Sequence, residues 1–172
     1  MPPEGPPAPF PRSPLLGCPP SEAGHFDSKT EIETHIRNLD IRSTIVRPAA
    51  FMEMLMLPGM GLDQGTYAFL MRPDQAMQCI AVDDIRKIVA TIFSDPDRFG
   101  GRTIEIAGDA MTGNGLQDLF SRAAGRPITY RRFPDGLLER NRLLVRLAEL
   151  VDDGRCAGAA DIRPCARSSG IC

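Results

Sequence analysis

The sequence predicts an α/β fold, and three observations carry that prediction. Short β-branched or apolar segments alternate along the chain with segments whose apolar residues recur every three or four positions. Proline, glycine and capping residues separate these segments. The chain has 172 residues, of which 42% are hydrophobic, enough for the core of one domain. The segments are too few for a whole doubly wound sheet, so we expect part of one.

The first helix and strand follow directly from local signals. Ser28 and Glu31 have the spacing of a capping box, which predicts a helix start. The helix then carries one apolar stripe, formed by Ile32, Ile36 and Leu39. Residues 41–46 contain three β-branched residues in succession and predict a buried strand, which Pro48 ends.

The middle of the chain is harder to interpret. Residues 51–57 form a short apolar run that predicts a helix, and a glycine-rich loop follows at residues 59–65. This loop does not match a dinucleotide fingerprint, because Pro58 precedes it and its spacing is GxGxxxG. Residues 77–82 predict a strand. Asp83 or Asp84 then caps a helix, and we assign these carboxylates a structural role.

The last third alternates regularly. The helix after Asp84 should end at Asp95-Pro96, and residues 103–107 predict the next strand. Thr112 is a suitable cap for a helix that Gly125 ends. Two elements complete this part, a strand at 128–133 and an amphipathic helix at 137–150.

Composition indicates where the ordered domain begins and ends and in which cellular compartment the protein is expected. Residues 1–24 contain nine prolines and predict a disordered tail, residues 25–155 predict the ordered domain, and residues 156–172 predict an irregular tail. The net charge of −2 gives no electrostatic case for nucleic-acid binding. No apolar window is long enough for a membrane span, and no secretory signal is visible. The sequence predicts neither a disulfide framework nor a metal site, because it has five cysteines, no CxxC and only two histidines. We therefore expect a cytoplasmic setting.

Two strings carry a family resemblance. The first is His25-Phe26-Asp27-Ser28-Lys29 and the second is Thr44-Ile45-Val46-Arg47-Pro48-Ala49-Ala50-Phe51-Met52-Glu53. Together they resemble the second half of the NmrA-like proteins, which are atypical short-chain dehydrogenases/reductases that bind NAD(P). Met54 stands where the family string has Asn. The resemblance implies a partial Rossmann-type fold, a C-terminal half with small substrate-domain elements.

The resemblance also implies site residues. Lys29 would contact the nicotinamide ribose, and His25 stands where related dehydrogenases have their catalytic Tyr, so it becomes the catalytic candidate. The cofactor-binding candidates beside the nicotinamide are Arg47, Pro48 and Phe51. A purely structural interpretation stays open, in which Lys29 is a solvated helix lysine and Arg47 an ion-pairing residue.

The function implied by the resemblance is that of a redox-sensing regulator with a protein partner, or of an NAD(P)H-dependent reductase, for example of quinones. No GxxGxxG precedes His25, and that glycine-rich turn is what normally holds the dinucleotide phosphates. We therefore expect NADP or NAD to bind this chain weakly or not at all. Two alternatives remain, a chain without cofactor binding and a protein-interaction module without catalysis.

Overall fold

The computed structural model describes residues 25–139, 142–154 and 157–162. The predicted tail at 1–24, and all but six residues of the one at 156–172, lie outside the described residues. The described residues form six α-helices and seven strands in mixed order, which confirms the α/β prediction.

The helices are α1 His25–Arg37, α2 Val82–Ser94, α3 Pro96–Phe99, α4 Gly113–Ala124, α5 Asp135–Leu138 and α6 Arg142–Asp152. The strands are β1 Ile45–Pro48, β2 Ala50–Phe51, β3 Thr66–Phe69, β4 Ala76–Ile80, β5 Thr103–Ile106, β6 Asp109–Thr112 and β7 Thr129–Arg132. Two short 3₁₀ helices, Met52–Met56 and Leu62–Gln64, lie between β2 and β3.

The strands form three small sheets among the described residues. β1 pairs with β5 in parallel, and β3 pairs with β7 in parallel. In the third sheet β4 lies between β2, to which it is parallel, and β6, to which it is antiparallel. A single residue separates β1 from β2, so one extended stretch pairs first with β5 and then with β4.

β1 is paired along one edge only within the part of the chain that the structure describes. The backbone N–H of Ile45 and that of Ala49 donate to β5-side carbonyls, at Arg102 and Ile106. The alternation of a parallel ladder turns the backbone groups of Val46 and Pro48 towards the opposite edge. Pro48 has no N–H to donate, so it is tolerated at this unpaired edge. It belongs to β1 as the last residue of the strand.

The first helix forms, but it begins at His25, so Ser28 lies inside α1 and the predicted capping box does not start it. Of its apolar stripe, Ile36 is half-buried and the other two residues are exposed. Ile32 is 52% exposed and Leu39 is 44% exposed. The predicted strand also begins later than expected. Ile41, its predicted first residue, precedes β1 and is 60% exposed. Among the side chains of α1 that the structure describes, the buried one is Glu33, at 7% exposure. A carboxylate therefore occupies the position where an amphipathic helix normally places an apolar residue.

The middle of the chain departs most from the prediction. The apolar run at 51–57 is the end of β2 followed by a 3₁₀ helix, not an α-helix. β3 follows the glycine loop directly and was not predicted, and neither was the antiparallel β6. The strand predicted at 77–82 is β4, and Val82 already belongs to α2.

Later elements agree better with the prediction. Thr112 caps α4 by accepting a hydrogen bond from the Gly115 N–H at 3.0 Å, and Gly125 ends this helix with φ of 63°. Asp95 caps the short helix that begins at Pro96. The helix predicted at 137–150 corresponds to α5 and α6, which lie on either side of the undescribed residues 140–141.

The main core packs around β3 and β7. Tyr67, Phe69 and Tyr130 project from one face of this two-stranded sheet, and Leu116 and Phe120 of α4 pack in the same cluster. The Tyr130 hydroxyl donates to the Met71 carbonyl at 2.7 Å. The Tyr67 hydroxyl is buried and has no hydrogen-bond partner among the described residues.

Cys79 lies at the centre of the middle sheet. It belongs to β4, is fully buried and faces the Asp109 carbonyl with its Sγ at 3.7 Å. Burial, with a smaller effect of the Asp109 charge, raises the pKa of this thiol to about 11. The thiol is therefore protonated and chemically inert while the sheet is intact.

Tyr67→Phe should raise the free energy of unfolding by about 1 kcal/mol, because it removes a buried hydroxyl that has no partner. Tyr130→Phe is the matched control and should lower it by about 1 kcal/mol, because it removes a made hydrogen bond. Urea denaturation followed by circular dichroism measures both. Equal destabilisation by the two substitutions would contradict the assignment of Tyr67 as unpaired.

Candidate functional site

The contact that joins α1 to the first sheet is an ion pair between Glu33 and Arg47. Arg47 Nε donates to Glu33 Oε1 at 2.8 Å and Arg47 Nη2 donates to Oε2 at 2.7 Å. The two parallel hydrogen bonds form a fork that fixes both distance and orientation. Each of the two side chains is only 9% exposed.

Two further residues complete this charged cluster. Arg47 Nη1 donates to Glu105 of β5 at 2.9 Å, across the strand pair in which Arg47 and Glu105 lie opposite each other. Arg37 donates to Glu33 at 2.8 Å and to the Thr103 hydroxyl at 3.3 Å. Two carboxylates and two guanidinium groups thus balance one another at the junction of α1, β1 and β5.

Electrostatics keep the cluster ionised. Burial alone would raise the pKa of the Glu33 carboxyl, but the hydrogen bonds and charges of Arg47 and Arg37 outweigh burial and hold that pKa below its usual value. The hydrogen bond to Glu33 is the main reason that the pKa of Arg47 is raised, against the opposing effect of burial. Both groups are therefore charged at neutral pH.

The same contacts fix the direction of α1. Glu33 meets Arg47, which pairs with Glu105 at the third residue of β5, whereas Arg37, one turn later, meets Thr103 at the start of β5. α1 therefore runs antiparallel to β1 and β5. One turn in the other direction from Glu33 lies Lys29, on the same side of the helix and towards the carboxyl ends of the two strands.

Lys29 is exposed, and no described residue forms an ion pair with it. Pro48 is exposed at the end of β1, and Phe51, at the end of β2, is 40% exposed. The structure therefore brings Lys29, Pro48 and Phe51 towards one end of the first sheet. His25 is the first residue of α1 and lies one helical turn before Lys29.

Arg47 is held by carboxylates through all three of its nitrogens, which confirms its interpretation as an ion-pairing residue. Its contribution to a cofactor site stays a prediction. Glu33 and Glu105, the residues that hold Arg47, were not predicted from the sequence. Glu33 follows Lys29 by four residues, so a search for charged residues on the lysine's side of the helix would have found it.

Glu53 has an unexpected role for a residue of the second family string. Its carboxylate accepts a hydrogen bond from the Val82 N–H at 2.9 Å, at the first residue of α2. The N-terminus of that helix is thus capped from outside its own sequence. The capping role predicted for Asp83 or Asp84 is wrong, because α2 begins at Val82 and both residues lie inside its first turn. They pair with Arg86 and Lys87 within the helix, which agrees with the structural role predicted for them.

The face of β1 opposite α1 opens into a small apolar groove. A cavity of about 240 Å³ lies there, and Val46, Val89, Ile92 and Phe93 contribute to its lining. Among the described residues, no group of His, Cys, Asp and Glu side chains could hold a metal ion. None of the helices described is long and apolar enough to cross a membrane.

Comparison with solved structures relates this geometry to known α/β folds. A nucleoside-diphosphate-sugar epimerase from Staphylococcus aureus superposes with a TM-score of 0.60 at 20% identity, over 77% of this chain and 49% of the epimerase. NmrA, a negative transcriptional regulator in complex with NAD, gives 0.52 at 20% identity, over 71% of this chain and 43% of NmrA. The triphenylmethane reductase of Citrobacter sp., complexed with NADP(H), gives 0.50 at 13% identity, over 83% and 53%.

These likenesses establish a Rossmann-like fold, and the chain spans about half the length of the structures it matches. The model of the NmrA-like family matches residues 19–153, most of the chain. The protein belongs to the NmrA-like family, which confirms the resemblance seen in the sequence.

Glu33→Gln should lower the free energy of unfolding at pH 7 by about 2 kcal/mol, the scale of hydrogen bonds to charged groups. A carboxyl whose pKa is lowered by folding stabilises the protein above its ordinary pKa of 4.5, and this contribution is lost as the pH falls through the lowered value. Glu33→Gln should therefore flatten the loss of stability below pH 4.5. Urea titrations across pH 3–7 measure both effects.

Asp97→Asn is the control for this prediction. It breaks the ion pair of Arg42 with Asp97, whose side chains are 56% and 92% exposed, and should change stability by at most about 0.5 kcal/mol. An equal effect of the two substitutions would contradict a special role for the buried pair.

Proposed function

We propose that this chain contributes the nicotinamide side of an NAD(P)(H)-binding site and that, within a complete NmrA-like fold, it acts as a redox-sensing regulator. The observation that supports the proposal is the antiparallel course of α1, which directs Lys29, one turn before Glu33, towards the carboxyl ends of the parallel strands β1 and β5. Ligands of open α/β sheets bind at that end.

The residues present fit the nicotinamide and its ribose. The Lys29 ammonium has three donors, enough for two ribose hydroxyls, and no described residue forms an ion pair with it. Pro48 and Phe51 offer exposed apolar surface for one face of a nicotinamide ring. Arg47 would act in this site from within the ion-pair cluster. Bound nicotinamide would supply hydride chemistry, and the chain's own residues would hold it in place.

The pyrophosphate is the part of the ligand that these residues do not serve. The glycine-rich turn that normally grips it does not occur before His25. A dinucleotide held only by its nicotinamide half should bind weakly.

A regulator is favoured over an enzyme by the residue at position 25. Related dehydrogenases have a Tyr there whose phenolate exchanges a proton with the substrate, and this chain has His25. A regulator needs only a shape that differs between ligand-bound and free states, and a protein partner that binds one of them. NmrA itself is described as a negative transcriptional regulator.

A reductase is the second candidate, supported by the likeness to a reductase complexed with NADP(H) and by the titratable imidazole at position 25. In such an enzyme His25 would supply the proton, and quinones are the acceptors that the family resemblance implies. The two candidates differ in whether turnover exists.

NADPH should bind this chain with a dissociation constant of about 1 mM, equivalent to about 4 kcal/mol. Lys29→Ala should weaken binding at least tenfold, because hydrogen bonds to charged groups contribute about 1.5–3 kcal/mol. Two-dimensional ¹H–¹⁵N NMR titration measures both. Lys87→Ala is a matched control, because Lys87 is the other lysine of the chain and pairs with Asp83 and Asp84 on α2.

Three results would contradict this prediction. A dissociation constant of about 1 µM or tighter would mean that the chain has a full phosphate grip. No shift changes at 20 mM NADPH, roughly twenty times the expected constant, would remove the proposed site. Unchanged affinity in Lys29→Ala would leave Lys29 as a solvated helix lysine.

His25→Ala separates the two candidate functions. For a regulator, we expect no NADPH oxidation with a quinone acceptor in the wild-type chain, and no effect of the substitution on NADPH affinity. For a reductase, turnover would exist and would fall about 10²–10⁴-fold in His25→Ala at unchanged affinity. Absorbance at the NADPH band follows turnover, and the NMR titration follows binding.

A further inference from the structure

The way in which α1 is attached to the sheet points to a role for its ion pair. In an ordinary amphipathic helix, several apolar side chains share the task of fixing the helix on its sheet. In α1, Glu33 is the buried side chain among those described, while Ile32 is more than half exposed. Ile36, three residues later, is half-buried, so the placement of the helix depends mainly on one carboxylate and its partners.

Arg47 is a rigid anchor for that carboxylate. Its backbone lies in β1, opposite Glu105 of β5, and its third nitrogen is held by the Glu105 side chain. The planar guanidinium meets both oxygens of Glu33 at once, which fixes the helix in distance and in rotation. A single-donor contact would fix the distance alone.

Lys29 is the residue most directly affected by this anchor. It lies one turn before Glu33 on the same side of α1, about 6 Å along the helix axis. A small rotation of the helix about its axis would move the ammonium group at the end of the long lysine side chain out of hydrogen-bonding distance of a fixed ligand. The exposed side chain of Lys29 has no described ion-pair partner to hold it in position.

We propose that Glu33 and Arg47 are positioning residues that aim Lys29 at the nicotinamide ribose. The inference rests on the proposed function, since it assigns these two residues their effect through Lys29. It gives Arg47 an indirect role in ligand binding, through the carboxylate that it holds, and adds Glu33 to the residues that determine affinity.

A purely structural role would have a different signature. If the ion pair only stabilised the fold, its loss would lower the melting temperature and leave the ligand affinity of the folded protein unchanged. If it only contacted the ligand by itself, its effect would add to that of Lys29. Coupling between the two sites distinguishes a positioning role from both.

The experiment is a double-mutant cycle of Arg47→Lys and Lys29→Ala in the full chain. Arg47→Lys keeps the charge and so avoids leaving Glu33 unpaired, but it loses the fork. The ligand is NADPH, and relative affinity is taken from the initial slope of NMR shift change against concentration, at a temperature where both variants are folded. Arg42→Lys is the control, because it alters an exposed arginine ion pair outside the cluster.

We expect Arg47→Lys to weaken NADPH about fivefold, Lys29→Ala about tenfold, and the double variant also about tenfold instead of fiftyfold. Arg42→Lys should leave affinity unchanged. Glu33→Gln, which keeps the shape of the side chain, should reproduce the effect of Arg47→Lys.

The outcomes separate the two levels of the argument. If the wild type shows no NADPH response, the proposed function fails and the positioning role fails with it. If Lys29→Ala weakens binding but the cycle is additive, or Arg47→Lys binds like the wild type, the proposed function stands and the positioning role is overturned. If Arg47→Lys does not fold, Glu33→Gln decides by the same cycle with Lys29→Ala.

Discussion

Helix α1 is fixed on its sheet by one buried carboxylate, and the geometry of the candidate site depends on that constraint. Removing two charges from water is costly, and a buried ion pair repays the cost only when its geometry is good and its remaining polar atoms are satisfied. Glu33 and Arg47 meet both conditions, with a two-bond fork and further partners in Arg37 and Glu105. The pair therefore serves as a specific joint, because a partly rotated helix would leave buried charges unpaired.

The same pair explains which parts of the site could be predicted. The family resemblance implied that Lys29 and Pro48 lie beside the same nicotinamide, and the antiparallel course of α1 and β1 is compatible with that expectation. The ion pair itself joins residues 14 and 58 positions apart in sequence. No local pattern records such a pairing, and the apolar stripe beside Glu33 predicted a buried face on which Ile32 and Leu39 are in fact exposed.

Elements with strong local signals were predicted best. α4 has a hydroxyl cap at Thr112 and a left-handed glycine at its end, and both signals act within a few residues. The region from Ala50 to Ile80 is different. Its strands are two to five residues long, and their pairing partners lie far away in sequence, as β3 with β7. Short strands of this kind are specified by tertiary contacts more than by propensity, and the Met-rich run between them suits a 3₁₀ turn as well as a helix.

The buried thiol of Cys79 has a practical consequence. β4 has neighbours on both sides, and the other four cysteines of the chain lie outside the described residues. An alkylating reagent can reach Cys79 only when β4 separates from its neighbours, and the raised pKa slows any reaction before that. The labelling rate of this one residue, followed by peptide mass spectrometry, therefore measures local opening of the middle sheet. This measurement needs no optical signal, which is useful in a chain without tryptophan.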